Sequence, residues 1–206
     1  MNAIAVAPAV RDPLADHLLT PQNAALVVID YQATQVGAVR SMDQDLLTKN
    51  IVTTVKLARA FDLPIVHSIV NSGRSGPTIE PLAELLDGFP PIDRTTINAW
   101  EDPAFLAAVR ATGRRKLILT ALWTEMCLAF PALDALREGY EVYPVTDAVA
   151  GTSVEAHRAA LERVVQAGAQ PITWASLAGE LQRDWARSET AGDVRRIVIE
   201  ERLAKD

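Results

Sequence analysis

The sequence predicts one α/β domain with three layers, in which helices cover both faces of a doubly wound, mostly parallel sheet. Short apolar runs such as residues 24–30 alternate with segments of helical periodicity such as residues 43–61. The first of these runs is apolar up to its closing acid, which is typical of a strand that is covered on both faces. The length of 206 residues suits one domain, and the sequence contains no internal repeat or interdomain linker.

Six strands and at least six helices follow from this alternation. Asp102-Pro103 suits a helix start, because the acid can cap and proline fits the first turn, and Gly113, Gly139 and Gly168 suit helix ends. Helices between the strands imply right-handed crossovers and a Rossmann-like parallel sheet. The predicted strands are 24–30, 65–70, 92–95, 116–122, 140–146 and 170–173, and the predicted helices are 43–61, 80–86, 102–111, 125–137, 153–167 and segments from about 175 onward.

We divide the chain into an N-terminal arm (1–17), a domain (18–186) and a C-terminal helical tail (187–206). The arm contains the apolar run AIAVAPAV, which no basic region precedes and which Pro8 interrupts, so we do not interpret it as a secretory signal. No apolar run approaches the ~20 residues that span a bilayer. A cytoplasmic location is the default expectation. The apolar arm and the tail predict surplus apolar surface, and therefore a homo-oligomer.

The composition excludes several classes of protein. The net charge is −6 and the basic residues form no long run, which disfavours nucleic-acid binding. The single cysteine permits no intrachain disulfide and no cysteine-based metal cage. Neither a Gly-x-Gly-x-x-Gly pattern nor a phosphate-binding loop follows the first strand. We therefore expect no nucleotide or other cofactor, no membrane partner, and a small-molecule substrate.

Three reactive residues are predicted at the carboxyl ends of strands, where ligands bind in such sheets. Asp30 closes the first strand, Arg94 ends the short third strand, and Cys127 follows the fourth strand at the start of a helix. A helix N-terminus and a nearby cation favour a thiolate, and a carboxylate can take up and return the thiol proton. Together they predict a cysteine nucleophile with an acid–base partner and a cation.

Longer motifs surround these residues. VVIDYQ at 27–32, RTTINAW at 94–100 and ALWTEMCLAFPALDALREGYEVYPVTDAVAG at 121–151 resemble the isochorismatase-like cysteine hydrolases, especially the YcaC-like branch, and the resemblance covers roughly residues 18–185. It implies an Asp–Lys–Cys triad in which Asp30 and Cys127 match and Arg94 replaces the lysine. Arginine stays charged but does not readily exchange a proton, so we expect its role to be electrostatic.

The resemblance also implies a cis peptide bond between Leu122 and Trp123, which would direct the Trp123 N–H towards an oxyanion beside the N–H of Cys127. Other neighbours are tentative. Trp100 and Trp123 are expected either to wall a substrate pocket or to be core or subunit-contact aromatics. Polar substrate contacts are assigned on the same tentative basis, with an ordinary turn role as the alternative, to Tyr31, Gln32 and Asn71.

Metal binding is not expected. The metal-bearing relatives carry an Asp-x-His pair and further histidines after the second strand, whereas HSIVNSGRSGPT contains His67 alone. A single histidine on an apolar strand is more often a hydrogen-bonded core residue than a ligand.

The sequence therefore predicts a hydrolase that acts on a small amide-like C–N substrate through a covalent thioester-type intermediate on Cys127. Two alternatives stay open. One is isochorismatase-type vinyl-ether hydrolysis, which does not require the cysteine. The other is a non-enzymatic protein whose thiol serves redox sensing or assembly.

Overall fold

The centre of the protein is a five-stranded sheet in which every pairing is parallel. A computed structural model describes residues 12–203, so most of the predicted arm lies outside the described residues. The strand order is β3-β2-β1-β4-β5, which places the first strand at the middle of the sheet. Along the chain, β2 and β3 are added on one side of β1, and β4 and β5 are then added on its other side. The strands are β1 (Ala24–Ile29), β2 (Ile65–Val70), β3 (Ile92–Arg94), β4 (Lys116–Ala121) and β5 (Glu141–Pro144).

Helices connect the strands and cover both faces, which confirms the predicted three-layer α/β fold. Asp102 caps a helix that begins at Pro103, as the sequence predicts, with its carboxylate 2.9 Å from the backbone nitrogen of Ala104. The helices are α1 (Ala33–Gly37), α2 (Gln44–Ala60), α3 (Ser72–Ser75), α4 (Glu80–Ala83), α5 (Pro103–Ala111), α6 (Ala129–Arg137), α7 (Val154–Gln166), α8 (Trp174–Gln182) and α9 (Ser188–Leu203).

The prediction of a sixth strand at 170–173 is wrong, because the described residues form five strands and this segment is not one of them. It forms a single bridge, between Val145 and Ile172, although the segment runs beside β5. The reason is that Pro144 lacks the N–H group that would bond the carbonyl oxygen of Gln170 and extend the ladder. Thr173 then leaves the sheet to cap α8 through its hydroxyl.

The predicted helix 125–137 is two elements. Residues Thr124–Leu128 form one π-helical turn, which we call the Cys127 turn, and α6 follows directly. Pro131 explains the break, because in a continuous α-helix its missing N–H would bond the carbonyl group of Cys127 and its ring would collide with that group. The predicted helix 80–86 is also shorter, since only Glu80–Ala83 is helical.

Both faces of β1 are buried. Leu26 and Val28 pack in one core cluster with residues of α2, α8 and α9, while Val27 and Ile29 pack in a second cluster with residues of α5, α6 and α7. All six residues of β1 are buried, as expected of a parallel strand that is covered on both faces.

The C-terminal helix belongs to this core. Ala191, Val194 and Ile197 of α9 are buried, and the last two lie in the same cluster as the apolar face of α2. Residue 187 therefore marks the loop between α8 and α9, and the apolar face of the predicted tail is covered by its own chain. Within residues 12–203, no helix has the length and apolar composition that crossing a membrane requires.

Candidate active site

The three predicted reactive residues meet at the carboxyl edge of the sheet. Asp30 directly follows β1, Arg94 is the last residue of β3, and Cys127 lies in the turn that follows β4. Neighbouring β1 and β4 mark the point where the order of strands reverses, because the chain adds β2 and β3 on one side and β4 and β5 on the other. Ligands of open α/β sheets bind at such a point.

Asp30 and Arg94 form a buried ion pair. Nη2 of Arg94 lies 2.5 Å from Oδ2 of Asp30, and both side chains are fully buried. Nη1 of Arg94 donates to the carbonyl oxygens of Thr96 and Ile97, so the guanidinium touches the carboxylate through one nitrogen and not as a bidentate fork. The cation is thereby fixed between the carboxylate and the loop after β3.

The backbone also fixes Asp30. Its φ angle is 64°, in the left-handed region where aspartate is among the better tolerated residues. Its N–H donates to the carbonyl oxygen of Ser68 in β2, and its own carbonyl oxygen accepts from Gln32. Burial raises the pKa of Asp30 to about 6, against the opposing effects of the Arg94 charge and of hydrogen bonds from Cys127 and Arg94. A carboxyl group with this pKa suits acid–base exchange near neutral pH.

Cys127 lies beside this pair and is nearly buried. Burial raises the pKa of the Cys127 thiol to about 12, and the charge and hydrogen bonding of Asp30 act in the same direction. Arg94 and the backbone N–H of Trp123 lower it, but by less. Burial and Asp30 therefore favour a protonated thiol next to a carboxylate, in contrast to the resting thiolate that the sequence predicts, and the Arg94 charge offsets only part of their effect.

Two tentative substrate-binding residues have structural contacts instead. Tyr31 is buried in the core, and its hydroxyl donates to the carbonyl oxygen of Ala148 at 2.5 Å. Gln32 is fully buried; its amide donates to the carbonyl oxygens of Val70 and Gly76 and accepts from the N–H of Val70. Gln32 thus holds the loop after β2 and Tyr31 the segment after β5, so both side chains are engaged in the protein itself.

The other two tentative residues, Trp100 and Asn71, differ in their surroundings. Trp100 packs edge-on against Phe105 and Tyr140, and its Nε1 donates to Glu138 at 2.9 Å, so it is a core aromatic. Asn71 is exposed at the end of β2, with a φ angle of 46°, and its N–H donates to the carbonyl oxygen of Arg94. Of the tentative polar residues, Asn71 alone lies at the edge with an exposed side chain.

The segment before Cys127 has the backbone that the resemblance implies. The peptide bond between Leu122 and Trp123 is cis. Leu122 is fully buried and bridges to Ala150, while Trp123 is half-buried and its Nε1 donates to the carbonyl oxygen of Gln35 at 2.8 Å. The indole therefore packs towards α1.

A comparison with protein families gives the site its context. Residues 24–176 match the model of the isochorismatase domain, which covers all five strands and the three reactive residues. The chain belongs to the isochorismatase family. It is a hydrolase of this family, and its parallel α/β architecture matches the fold of solved relatives.

Named relatives place this isochorismatase-family hydrolase in the YcaC-like branch. It is 41% identical over 170 residues to the probable hydrolase YcaC of Escherichia coli, with 81% of each chain covered. The solved structure of YcaC from Pseudomonas aeruginosa, with hexane-2,5-diol and covalent acrylamide, is 34% identical and has a TM-score of 0.86 over 91% of this chain and 92% of that one. The E. coli YcaC structure, an octameric hydrolase of unknown specificity, has a TM-score of 0.81 at 33% identity over 92% and 98%.

His67 has the environment of a core residue in this family member. Nδ1 lies 3.1 Å from the carbonyl oxygen of Phe89 and Nε2 lies 2.8 Å from the hydroxyl of Thr78, so both ring nitrogens have partners. Burial lowers the pKa of His67, which favours the neutral ring. Among residues 12–203, no three histidine, cysteine or carboxylate side chains are grouped as a metal site would require.

Four residues support the Cys127 turn on its α7 side, and the contacts between them were not predicted from the sequence. Thr124, Glu125, Gly151 and His157 contact one another between β4 and α7. A signal was present: a glycine three residues before the first turn of α7 suggests a close approach of another group to the backbone. Periodicity alone does not show which residue approaches this glycine, because the contacts are between residues far apart in the sequence: Glu125 and Gly151 are 26 residues apart, and Thr124 and His157 are 33 residues apart.

Proposed function

We propose that this isochorismatase-family hydrolase cleaves a small amide-like substrate, with Cys127 as nucleophile, Asp30 as proton acceptor and donor, and Arg94 as a fixed cation. The observation that carries the proposal is one buried carboxylate that contacts both a guanidinium and a thiol at the switch point of the sheet. Thiol, base and cation are the parts that cysteine-dependent acyl transfer needs.

The two oxygens of Asp30 have different tasks in this proposal. Oδ2 is engaged by Arg94. Oδ1 is buried and has no conventional hydrogen-bond partner among the described residues. Oδ1 therefore accepts the thiol proton as Sγ attacks the substrate carbonyl carbon. The proton then passes to the leaving amine as the C–N bond breaks, which leaves a thioester on Cys127 and a carboxylate on Asp30.

The second half-reaction uses the same carboxylate. Asp30 takes a proton from water, the resulting hydroxide attacks the thioester, and the S–C bond breaks. The proton returns to Sγ and the carboxylic acid product leaves. Arg94 does not exchange a proton in either half. Its charge keeps Asp30 ionised despite burial, which is the state that a general base requires.

The proposed oxyanion site consists of backbone N–H groups at the start of the Cys127 turn. The N–H of Trp123 is directed at the Cys127 sulfur, where it lowers the pKa of the thiol. An N–H at this position can donate to the oxygen of a tetrahedral intermediate formed on the same sulfur. The N–H of Cys127 is proposed as its companion.

The relatives support two further parts of the proposal. The P. aeruginosa YcaC structure contains covalent acrylamide, and a covalent adduct of an electrophile requires a reactive nucleophile in that protein. The E. coli YcaC structure is octameric, and we propose that this chain also forms a homo-oligomer. Light scattering that gives the mass of a single chain at micromolar concentration would contradict the oligomer.

The test is a screen of small amides and esters with purified protein. Cys127→Ala and Asp30→Asn are the inactive controls, and intact-protein mass spectrometry detects the acyl adduct on Cys127 after rapid quenching. Amide turnover that is lost in both variants, with an adduct on wild type only, supports the proposal. Turnover of a vinyl ether that survives in Cys127→Ala would replace it with the isochorismatase-type reaction. A folded protein with neither turnover nor adduct would favour a non-enzymatic thiol.

A further inference from the structure

The Cys127 turn is attached to α7 by a partly buried side-chain hydrogen bond. Thr124, the first residue of the turn, is fully buried, and its N–H donates to the carbonyl oxygen of Ala150 at 2.9 Å. Its hydroxyl Oγ1 lies 2.8 Å from Nδ1 of His157, which is the fourth residue of α7. This contact holds the turn at a point three residues before the cysteine.

A second attachment follows at the next residue. Oε1 of Glu125 accepts from the N–H of Thr152 at 3.0 Å and from its hydroxyl at 2.6 Å. Oε2 is buried and has no partner within the described part of the chain. Gly151 makes this approach possible, because a Cβ atom there would lie 2.5 Å from Oε2 and 3.0 Å from the Cβ of His157. The Glu125 carboxylate thus lies near the N-terminus of α7, where a negative charge is favourable.

These attachments matter because the turn has little regular structure of its own. It is π-helical, and Pro131 in the following helix cannot donate to the carbonyl group of Cys127, so a continuous α-helical hydrogen-bond ladder does not fix the direction of its side chains. We propose that His157 and Glu125 are positioning residues, which hold the Cys127 turn against α7 and thereby keep the thiol buried against Asp30. Neither residue contacts the reacting atoms.

The charged groups around His157 and Cys127 are few. Glu125 faces His157 and raises its pKa, but burial lowers that pKa more, so the ring is neutral at neutral pH. Asp30 and Arg94 face the Cys127 thiol. A neutral His157 allows Nδ1 to accept from the Thr124 hydroxyl; a protonated ring can only donate there. The geometry of the attachment, and not its charge, is what the proposal requires.

The proposal rests on Cys127 as the reactive group, but its test needs no substrate. The probe is iodoacetamide, and the readout is the rate of Cys127 alkylation as a function of pH. His157→Leu and Thr124→Val remove the hydrogen bond, while His157→Asn and Thr124→Ser retain one. His17→Leu is the matched control, since the His17 side chain is 71% exposed.

If the attachment keeps the thiol buried against Asp30, the first two variants lower the apparent pKa of Cys127 by about one unit or more, towards the ordinary thiol value. Alkylation at pH 8 then accelerates about tenfold, because each unit raises the thiolate fraction tenfold. His157→Asn, Thr124→Ser and His17→Leu keep the wild-type profile. The double variant His157→Leu/Thr124→Val shifts no further than either single variant, because both remove one bond.

Circular dichroism confirms that each variant is folded. If His157→Leu does not fold, Thr124→Val, which preserves shape, and Glu125→Met, which removes the acceptor for Thr152, take its place, with the exposed Glu155→Met as the matched control. Superimposable profiles from folded variants would overturn the proposal. A shifted profile in a protein that hydrolyses nothing would leave the positioning role intact and remove only the proposed function.

Discussion

Nη2 of Arg94 lies 2.5 Å from Oδ2 of Asp30, although Arg94 ends β3, Asp30 follows β1, and β2 lies between these two strands. The contact spans the sheet edge because the long arginine side chain reaches over the end of β2. The charge of the guanidinium favours the ionised carboxylate, which is the form that acts as a base, and the guanidinium does not itself donate a proton. The pair therefore meets two requirements at once. It neutralises a buried charge, and it keeps Asp30 ionised so that the carboxylate can act as a base.

The first prediction separates charge from shape at Arg94. Arg94→Met should destabilise the protein by about 3–5 kcal/mol and abolish activity, because it leaves Asp30 buried without a counter-charge. Arg94→Lys keeps the charge and should retain much of the activity. Urea unfolding and turnover of the substrate found by the screen measure both effects. The control is Arg110→Met, whose partly exposed ion pair with Glu138 should contribute less than about 1 kcal/mol. Equal stability of Arg94→Met and wild type would contradict the prediction.

The second prediction concerns the pH dependence of stability. Burial raises the pKa of Asp30 from 3.8 to about 6, so the folded protein binds this proton more tightly than the unfolded chain does. The stabilisation is fully present below about pH 4 and is lost as the pH rises through 6, by about 3 kcal/mol. The measurement is the free energy of unfolding by urea at pH 4 and at pH 7. The loss of stability that Asp30 causes between these two pH values should be absent in Asp30→Asn. An unchanged difference would show that Asp30 titrates normally.

The third prediction is slow alkylation of the resting thiol. Cys127 should react with iodoacetamide at pH 7 more slowly than a free thiol, because burial and Asp30 raise its pKa to about 12. Asp30→Asn should accelerate the reaction, since it removes the carboxylate charge. The urea-unfolded protein provides the reference rate for the same cysteine. Faster reaction in the folded wild type would restore the resting thiolate that the sequence led us to expect.

The fourth prediction tests the space at Gly151. Gly151→Ala should destabilise the protein by about 1–3 kcal/mol, because its Cβ would lie 2.5 Å from the Glu125 carboxylate. Gly179→Ala, in α8, is the control: nothing lies within 4 Å of a Cβ there, and alanine should stabilise the helix by about 0.5–1 kcal/mol. Thermal unfolding of the two variants should therefore shift in opposite directions.

The fifth prediction is that activity survives exhaustive chelation. No described residues form a cluster with metal-binding composition, and both ring nitrogens of His67 have partners in the protein. Turnover should be the same before and after dialysis against EDTA. A loss that added zinc or iron reverses would reveal a metal site.

The sequence predicted the order of elements and the meeting of three reactive residues, because both depend on local signals. Apolar runs define β1, β2 and β4, and parallel strands bring their carboxyl ends to one edge. The state of the thiol was not predictable from spacing. It depends on how completely Cys127 is buried and on the direction of the Arg94 charge, which are properties of packing. The buried partners of Tyr31 and Gln32 were not predictable for the same reason, since only the structure shows them.

The reactive groups lie on strands of unequal strength. Asp30 follows the central strand, which pairs on both sides, whereas Arg94 ends the three-residue edge strand β3, which pairs with β2 alone. Short edge strands exchange their amide hydrogens through local opening at a lower free-energy cost than central strands. The cation is therefore carried by a strand that opens more easily than the strand that positions Asp30, and local opening of β3 would remove the counter-charge of the base while the rest of the sheet stays intact.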